Sequence, residues 1–524
     1  MSVGSLAHRG FHGPLSGGRR TVGEGVLAMP ALAAVAGLIV LATVVRFYGI
    51  GHQGFWFDEA NTAQLVRFSP GRMLGLLPRT ESTPPLYYCV AWVWARLWGD
   101  SEAGLRSLSA LAGVLVVPVA YLAGARLMTR RAGLIAAALT ACSPLLIWYS
   151  QEARSYSLLV LFTALSLLAF VYARDTPTPR LLTLWGLASA LALATHYFAA
   201  LAVVPQAACL LAEHRRRTAV RVVVGLVAVC GLALIPLAIS QNGTGHDRWI
   251  ASAALGLRLR QIIPQFLIGT GAPARTVLRD AALALAIVAL LRLALTERGA
   301  PRGGAVLAGG LALAGFALSL VLLAVGFDEL ITRNLIVLWL PAALLVAGGL
   351  ARGRGPALSI ALAGALCVIG LTAAIGVAAD RSLQRPDWRY VARLLGPTHP
   401  ATHPAAGRAI LIQHYRTLLP LSLYLPHLRV LPAAGARVGE LDVISMSSPR
   451  EPLCWWGAAC NLIPSRMQSR YAIWGFDVAW TRHVLQFDIK RLVARRPVLL
   501  TPAEVSRALS ATRLRHDVLE LQPG

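Results

Sequence analysis

Eleven apolar runs, most close to 20 residues long, recur along this 524-residue chain. They lie near 27–48, 105–125, 132–149, 156–172, 181–196, 197–212, 220–240, 279–296, 304–326, 333–350 and 356–378. A run of about 20 apolar residues crosses the hydrocarbon core of a bilayer as a helix. The chain is 56% hydrophobic and only 14% charged, whereas soluble domains carry about 25% charged residues. The expected architecture is a polytopic α-helical membrane protein.

The net charge of +25 rests on Arg, with Lys490 the single lysine. No basic stripe interleaved with aromatics occurs, which argues against a nucleic-acid partner. The Arg residues instead mark loops. The apolar segment 84–98 decides the bookkeeping: it is short, starts with Pro84-Pro85 and contains Arg96. If it does not cross, Arg9/Arg19/Arg20, Arg126/Arg130/Arg131, Arg174/Arg180, Arg215/Arg216/Arg217/Arg221, Arg298/Arg302 and Arg352/Arg354 all fall on one side. That side is the cytoplasm by the positive-inside rule. Segment 84–98 is therefore read as a helix in the outer interface, leaving eleven spans and a cytoplasmic N-terminus. Residues 1–26, Gly- and Arg-rich, read as a disordered cytoplasmic tail, and the first run as a signal anchor without a cleavage site.

The opposite face collects the acids. It receives Asp58-Glu59 just after Gly54-Phe55-Trp56-Phe57, then Glu81, Asp100, Glu102 with Arg106, Glu152 with Arg154, Thr195-His196-Tyr197, the long loop 241–278, and Asp328-Glu329 with Arg333. Charges at membrane depth are costly unless a site uses them, although one acidic pair after a helix end is also what an ordinary loop can hold. Within 241–278, residues 255–267 mix Arg258 and Arg260 with Leu and Ile at helical spacing, reading as a second interfacial helix or a plain amphipathic connector.

From Asp380 onward polar residues return. Runs such as Ala409-Ile410-Leu411-Ile412 and Leu441-Asp442-Val443-Ile444 read as strands, and amphipathic stretches follow Asp387-Trp388-Arg389 and Phe487-Asp488. Residues 380–524 thus read as a soluble α/β domain, placed outside the cell by an odd number of spans, beyond a membrane domain over 27–379. Five cysteines (Cys89, Cys142, Cys209, Cys230, Cys367) lie in apolar runs, and Cys454 and Cys460 could pair if that region is oxidised. Asp387 and Trp388 are expected to tie the outer domain to the membrane half.

Together, Phe55-Trp56-Phe57-Asp58-Glu59-Ala60, Thr83-Pro84-Pro85-Leu86-Tyr87-Tyr88, Gly99-Asp100-Ser101-Glu102 with Arg106, Trp148-Tyr149-Ser150-Gln151-Glu152-Ala153-Arg154-Ser155-Tyr156 and Thr195-His196-Tyr197 resemble the bacterial branch of glycosyltransferase family 39. That family includes protein O-mannosyltransferases and lipid A aminoarabinose transferases and has the GT-C fold. The resemblance is strong over 30–210 and weaker beyond. It implies a cell-membrane enzyme that moves a sugar, with inversion, from a polyprenyl-phosphate donor to a protein, lipid or glycan hydroxyl at the outer face. The sugar could be mannose. It also implies that Asp58 is the acceptor-side base. The family often has His before Pro-Pro-Leu, where Thr83 stands here.

Inverting transfer needs a base near the acceptor and positive charge near the departing phosphate. Glu59 is expected to orient Asp58 or the acceptor. Arg106, Arg154 and Arg333 are the candidates for the phosphate, because the guanidinium fork suits it; salt bridges to Glu102, Glu152 or Glu329 are the alternative. Glu152 is a candidate for the sugar hydroxyls, and His196 and Tyr197 are as well placed to be interfacial anchors as ligands. Asp58, Glu59 and Glu152 could together hold a divalent cation, which leaves metal use open. The rival is a lipid or solute transporter, which should carry mid-span charges or broken half-helices; here the acids sit at span ends. In a background lacking native cysteines, Arg130→Cys is expected to be labelled by an impermeant maleimide from the cytoplasmic side alone, and labelling from outside would overturn the assigned topology.

Overall fold

The computed structural model describes residues 29–245, 248–295, 299–353, 355–396, 407–413, 418–446, 473–509 and 517–523. The tail 1–26, Cys454 and Cys460 lie outside them.

Among the described residues, eight helices are long and apolar enough to cross a membrane: Met29–Phe47, Glu102–Leu127, Tyr156–Asp175, Tyr197–His214, Thr218–Asn242, Arg302–Ala324, Thr332–Leu350 and Pro356–Ala379. Arg130–Cys142 and Pro144–Ser150 add a ninth if taken as one span bent by 54°. The other two expected spans coincide with shorter or more charged helices: Pro179–Thr195 has 17 residues, and Arg275–Ala294 carries Arg275, Arg279, Asp280 and Arg292. Along Thr218–Asn242 only 6% of the apolar window is buried, and Val222, Leu226, Val229 and Leu232 face outward. Such a surface suits lipid and would be a liability in water.

Local signals place the helix ends. Ser101, Thr129, Ser143 and Thr178 each accept an N–H two or three positions inside the helix they start, the usual N-cap chemistry. The bend falls at Ser143-Pro144, because a proline ends the preceding helix and suits the first position of the next. The freed carbonyls of Thr140 and Ala141 accept from the buried Arg46 at 2.8 and 3.0 Å, a cation at a helix C-terminus. Gly133 allows the adjoining helices to cross closely, since a Cβ there would lie 2.5 Å from the Tyr121 carbonyl.

Between the first two long spans come Phe57–Leu65, Pro70–Thr80 and Leu86–Trp98. The last has 13 residues, about 20 Å of helix, too short for the core of a bilayer. Its Val93, Leu97 and Trp98 are exposed. The expected second amphipathic helix is Leu255–Ile268, with Leu255, Leu259 and Ile263 exposed and Arg258 buried.

The C-terminal region forms a six-stranded sheet: β1 (Gly407–Gln413), β2 (Arg429–Val430), β3 (Ala436–Met446), β4 (Phe476–Val484), β5 (Phe487–Leu500) and β6 (Asp517–Gln522). The order is β2-β6-β1-β3-β5-β4, with β1 and β3 parallel and the other neighbours antiparallel. Of the two amphipathic stretches, the one after Asp387 is the helix Trp388–Leu395 and the one after Phe487 is strand β5. One face packs Leu411, Leu441, Val443 and Leu492. The other packs Ile410, Ile412 and Ile444 against the helix Trp388–Leu395, following the period of two along each strand.

On that second face Asp442 accepts two bonds from Arg491, at 2.8 and 2.9 Å, and lies 3.6 Å from Arg408. Both arginines also donate to the Leu395 carbonyl, which pins the helix to the sheet. Asp442→Ala would leave two buried cations without their anion, a loss of roughly 3–5 kcal/mol. Hydrogen exchange of the sheet should read that loss as deprotection, whereas Asp280→Ala, in an exposed pair, should leave exchange unchanged.

Candidate active site

The turn Gly54-Phe55-Trp56 leads into the helix Phe57–Leu65, and Asp58 and Glu59 occupy its first turn, where the helix dipole favours carboxylates. The two then part. Glu59 is fully buried. It accepts Arg106 Nε at 2.7 Å, Arg106 Nη2 at 2.5 Å and the Ala153 N–H at 2.8 Å. Burial would raise its carboxyl, but the Arg106 charge and these donors outweigh burial and hold it below the usual carboxylate range. Asp58 keeps 19% of its side chain exposed, and its carboxylate meets Arg333 Nη1 at 3.4 Å.

The three arginines are spent differently. Arg106 gives all its N–H groups away: besides Glu59, it donates to the Ile50, Gln53 and Gly54 carbonyls. Arg154 forms a two-pronged pair with Glu81 at 2.8 and 2.9 Å and donates to the Asp58 carbonyl at 3.3 Å. Arg333 is 15% exposed, lies over the Trp249 ring, and has the longest of these contacts. The ion-pair partners are thus Glu59, Glu81 and Asp58, not the sequence-adjacent Glu102, Glu152 and Glu329 considered from sequence. Glu102 stands four residues before Arg106 on one helix and acts on it electrostatically, but the hydrogen bonds of these arginines go to carboxylates on other elements.

Glu152 takes its hydrogen bond from a different arginine: its Oε2 accepts from Arg385 at 2.8 Å. Arg385 stacks over Trp148 at 4.0 Å and donates to the Trp148 carbonyl. With 2% of its side chain exposed, Glu152 acts on the site as a buried charge and offers sugar hydroxyls little surface. It interacts electrostatically with Glu59, Asp58 and Arg154, so these groups do converge at one end of the bundle. Tyr149, Tyr156 and His196 form a ring-to-ring row beside them, at 4.8 and 5.6 Å, and Tyr156 feels Arg333, Arg154, Glu152 and Asp58.

His196 is buried and its Nδ1 meets the Phe198 N–H at 3.3 Å. Tyr197 points elsewhere: its hydroxyl donates to Gln241 at 2.7 Å, and Gln241 donates to the Leu77 and Thr83 carbonyls. Tyr197 therefore braces the Thr83-Pro84-Pro85 turn. Among the described residues, no three His, Cys, Asp or Glu side chains are grouped to hold a metal ion; Glu59 is occupied by Arg106 and Glu152 by Arg385.

Sequence reasoning missed Arg385, Glu81 as the partner of Arg154, and Tyr424, which contacts Phe55 and Glu102. A usable signal was present for Arg385: Arg385-Pro386-Asp387 lies shortly after the last span, Pro356–Ala379, on the face to which the sequence assigns Asp58, Glu59 and Glu152.

Burial pushes the Glu152 carboxyl up to about 7, against the pull of Arg385. A raised carboxyl binds more protons folded than unfolded between its two pKa values, so stability falls as pH rises from about 4.5 to about 7. The Tm of the purified protein should decline over that window, and Glu152→Gln should flatten the decline.

Residues 82–239 match the family model described as dolichyl-phosphate-mannose-protein mannosyltransferase. No curated protein matches the chain. Among solved structures, ArnT from Cupriavidus metallidurans bound to undecaprenyl phosphate is similar at TM-score 0.55 and 14% identity, over 90% of this chain and 100% of that one. Its apo state is similar at TM-score 0.54 and 14% identity, over 88% and 98%. The chain thus shares the fold of these structures, and residues 82–239 carry the sequence match to the mannosyltransferase family model.

Proposed function

We propose that this chain is a membrane glycosyltransferase that moves a sugar from a polyprenyl-phosphate donor to a hydroxyl acceptor, with inversion, at the outer face of the cell membrane. Mannose is the first sugar to test. The observation that carries the reading is the division within the acidic pair: Glu59 is locked to Arg106, and Asp58 is left partly open beside Arg333. The family model is named for dolichyl-phosphate-mannose transfer, and the similar ArnT structure holds undecaprenyl phosphate. Both point to a lipid-phosphate donor.

In this reading Asp58 takes the proton of the acceptor hydroxyl as its oxygen attacks the anomeric carbon. The bond from that carbon to the phosphate oxygen breaks on the opposite side, and the polyprenyl phosphate leaves with the electron pair. Arg333 turns from Asp58 to the phosphate, where its fork meets the growing negative charge. Arg106 and Arg154 hold Glu59 and Glu81 and keep the floor of the site rigid. Tyr149, Tyr156 and His196, buried in a row, back the site. The membrane domain spans 27–379 and the outer domain 380–524, with a cytoplasmic N-terminus. The outer domain lies at the Asp58 end of the bundle, because Arg385, Asp387 and Tyr424 reach the loop before Asp58.

Purified protein should transfer label from at least one radiolabelled polyprenyl-phosphate sugar in a panel. Asp58→Asn should lower kcat by roughly 10²–10⁴, and Arg333→Ala should also depress turnover. Full activity in Asp58→Asn would remove Asp58 from the mechanism.

A further inference from the structure

Residues 48–56, between the first span and the helix carrying Asp58, form turns and bends but no helix or strand. Their peptide groups must find partners elsewhere. Arg106 takes the carbonyls of Ile50, Gln53 and Gly54. Four more peptide groups are met from beyond the last span. Arg389 donates to the Gly51 and His52 carbonyls at 2.8 and 2.7 Å. The Gln53 side-chain Nε2 also donates to the Arg385 carbonyl at 3.0 Å. The Gly54 N–H donates to Asp387 Oδ1 at 3.0 Å, and the Phe55 N–H to the Tyr424 hydroxyl at 2.6 Å.

These acceptors are themselves fixed. Asp387 caps the helix Trp388–Leu395 through the Tyr390 N–H and pairs with Arg381. The Tyr424 hydroxyl donates to Glu102 Oε1 at 2.6 Å, and Arg389 also pairs with Glu102. The contact is close as well as polar. A Cβ on Gly54 would lie 2.7 Å from Arg389 Cβ and 2.8 Å from Asp387 Oδ1, so glycine is required there for the two segments to meet.

We propose that Asp387 and Tyr424 are positioning residues for the transfer reaction: by holding the Gly54 and Phe55 amides, they set where Asp58 enters the site. The inference rests on Asp58 acting as the base. It extends the expected role of Asp387 from joining two parts of the chain to controlling the reacting geometry. The lever is short, since only Trp56 and Phe57 separate Phe55 from Asp58, and Asp58 lies in the first turn of the helix that follows. A displacement of about 1 Å in a reacting group can cost on the order of 10²-fold in rate.

The test uses the full-length protein in nanodiscs. Tyr424→Phe removes one hydroxyl and keeps the ring. Its hydrogen exchange over residues 54–60 should rise several-fold, while strands β1 and β3 and the helix Tyr156–Asp175 stay protected. With the donor that the wild type uses, kcat should fall roughly 10- to 100-fold while KM and undecaprenyl phosphate binding hold, the split expected for lost transition-state geometry. Asp387→Ala should behave like Tyr424→Phe. Asp387→Asn keeps an acceptor oxygen for the Gly54 N–H and should restore both exchange and kcat. Unchanged exchange at 54–60 in Tyr424→Phe would overturn the proposal, as would faster exchange with an unchanged kcat. If the wild type transfers no sugar from the panel, the transfer reading fails, and the exchange data still decide whether these residues hold the loop.

Discussion

The arrangement depends on one buried ion pair, Arg106 with Glu59. Arg106 lies in the first turns of the long span Glu102–Leu127 and Glu59 in the helix before it in sequence. Taking two such charges out of water is costly unless every donor and acceptor is met. Here they are: Arg106 spends its N–H groups on Glu59 and three loop carbonyls, and Glu59 also takes the Ala153 and Trp56 N–H groups. One pair thereby fastens the end of the first span, the Asp58 helix, the second span and the Glu152 loop. Without it the acid-bearing turn would lose its inner anchor and keep only its outer ones from Asp387, Arg389 and Tyr424.

A second tier of pairs repeats the logic toward the periphery. Arg154 and Glu81 join the Glu152 loop to the end of the helix Pro70–Thr80. Arg385 and Glu152 join it to the segment after the last span. Arg258 and Asp328 join the amphipathic helix Leu255–Ile268 to the approach to Arg333, at 2.6 and 2.8 Å. Each pair links elements distant in sequence, and each side chain so used is unavailable to a substrate. Asp58 and Arg333, at 19% and 15% exposure, keep more of their side chains accessible than Glu59, Arg106, Glu81, Arg154, Glu152 or Arg385.

The sequence shows the broad plan because bilayer physics is one-dimensional. Apolar runs such as 356–378 announce helices without knowledge of their neighbours, and the prolines at 144 and 179 mark starts that the structure keeps. The sequence also assigns Asp58, Glu59, Glu81, Glu102 and Glu152 to the face opposite the positive loops. It cannot show pairing. Nothing in the spacing of Arg154 favours Glu81 over the nearer Glu152, and Arg385 lies 233 residues from the carboxylate it meets. Those choices are made by helix packing, in which the close crossing allowed at Gly133 matters as much as charge. Strand β5 illustrates a milder limit. An amphipathic stretch after Phe487 is visible, but its strand form follows from pairing with β3 and β4 on either side.

The acidic pair itself is a consequence of helical geometry. Consecutive helix residues point about 100° apart, so Asp58 and Glu59 cannot both face one cavity from the first turn of a helix. If one is turned into the protein to meet a buried cation, its neighbour is turned away from that cation toward the rim. An Asp-Glu dipeptide at a helix start therefore makes a sensible unit: the residue one position further in anchors, and the one before it is presented. The shorter side chain suits the presented role, because it has fewer rotors to freeze. On this argument the order Asp58-Glu59 has meaning. Exchanging the two residues would keep the net charge and the motif composition while moving the anchor off Arg106 and the open carboxylate off Arg333.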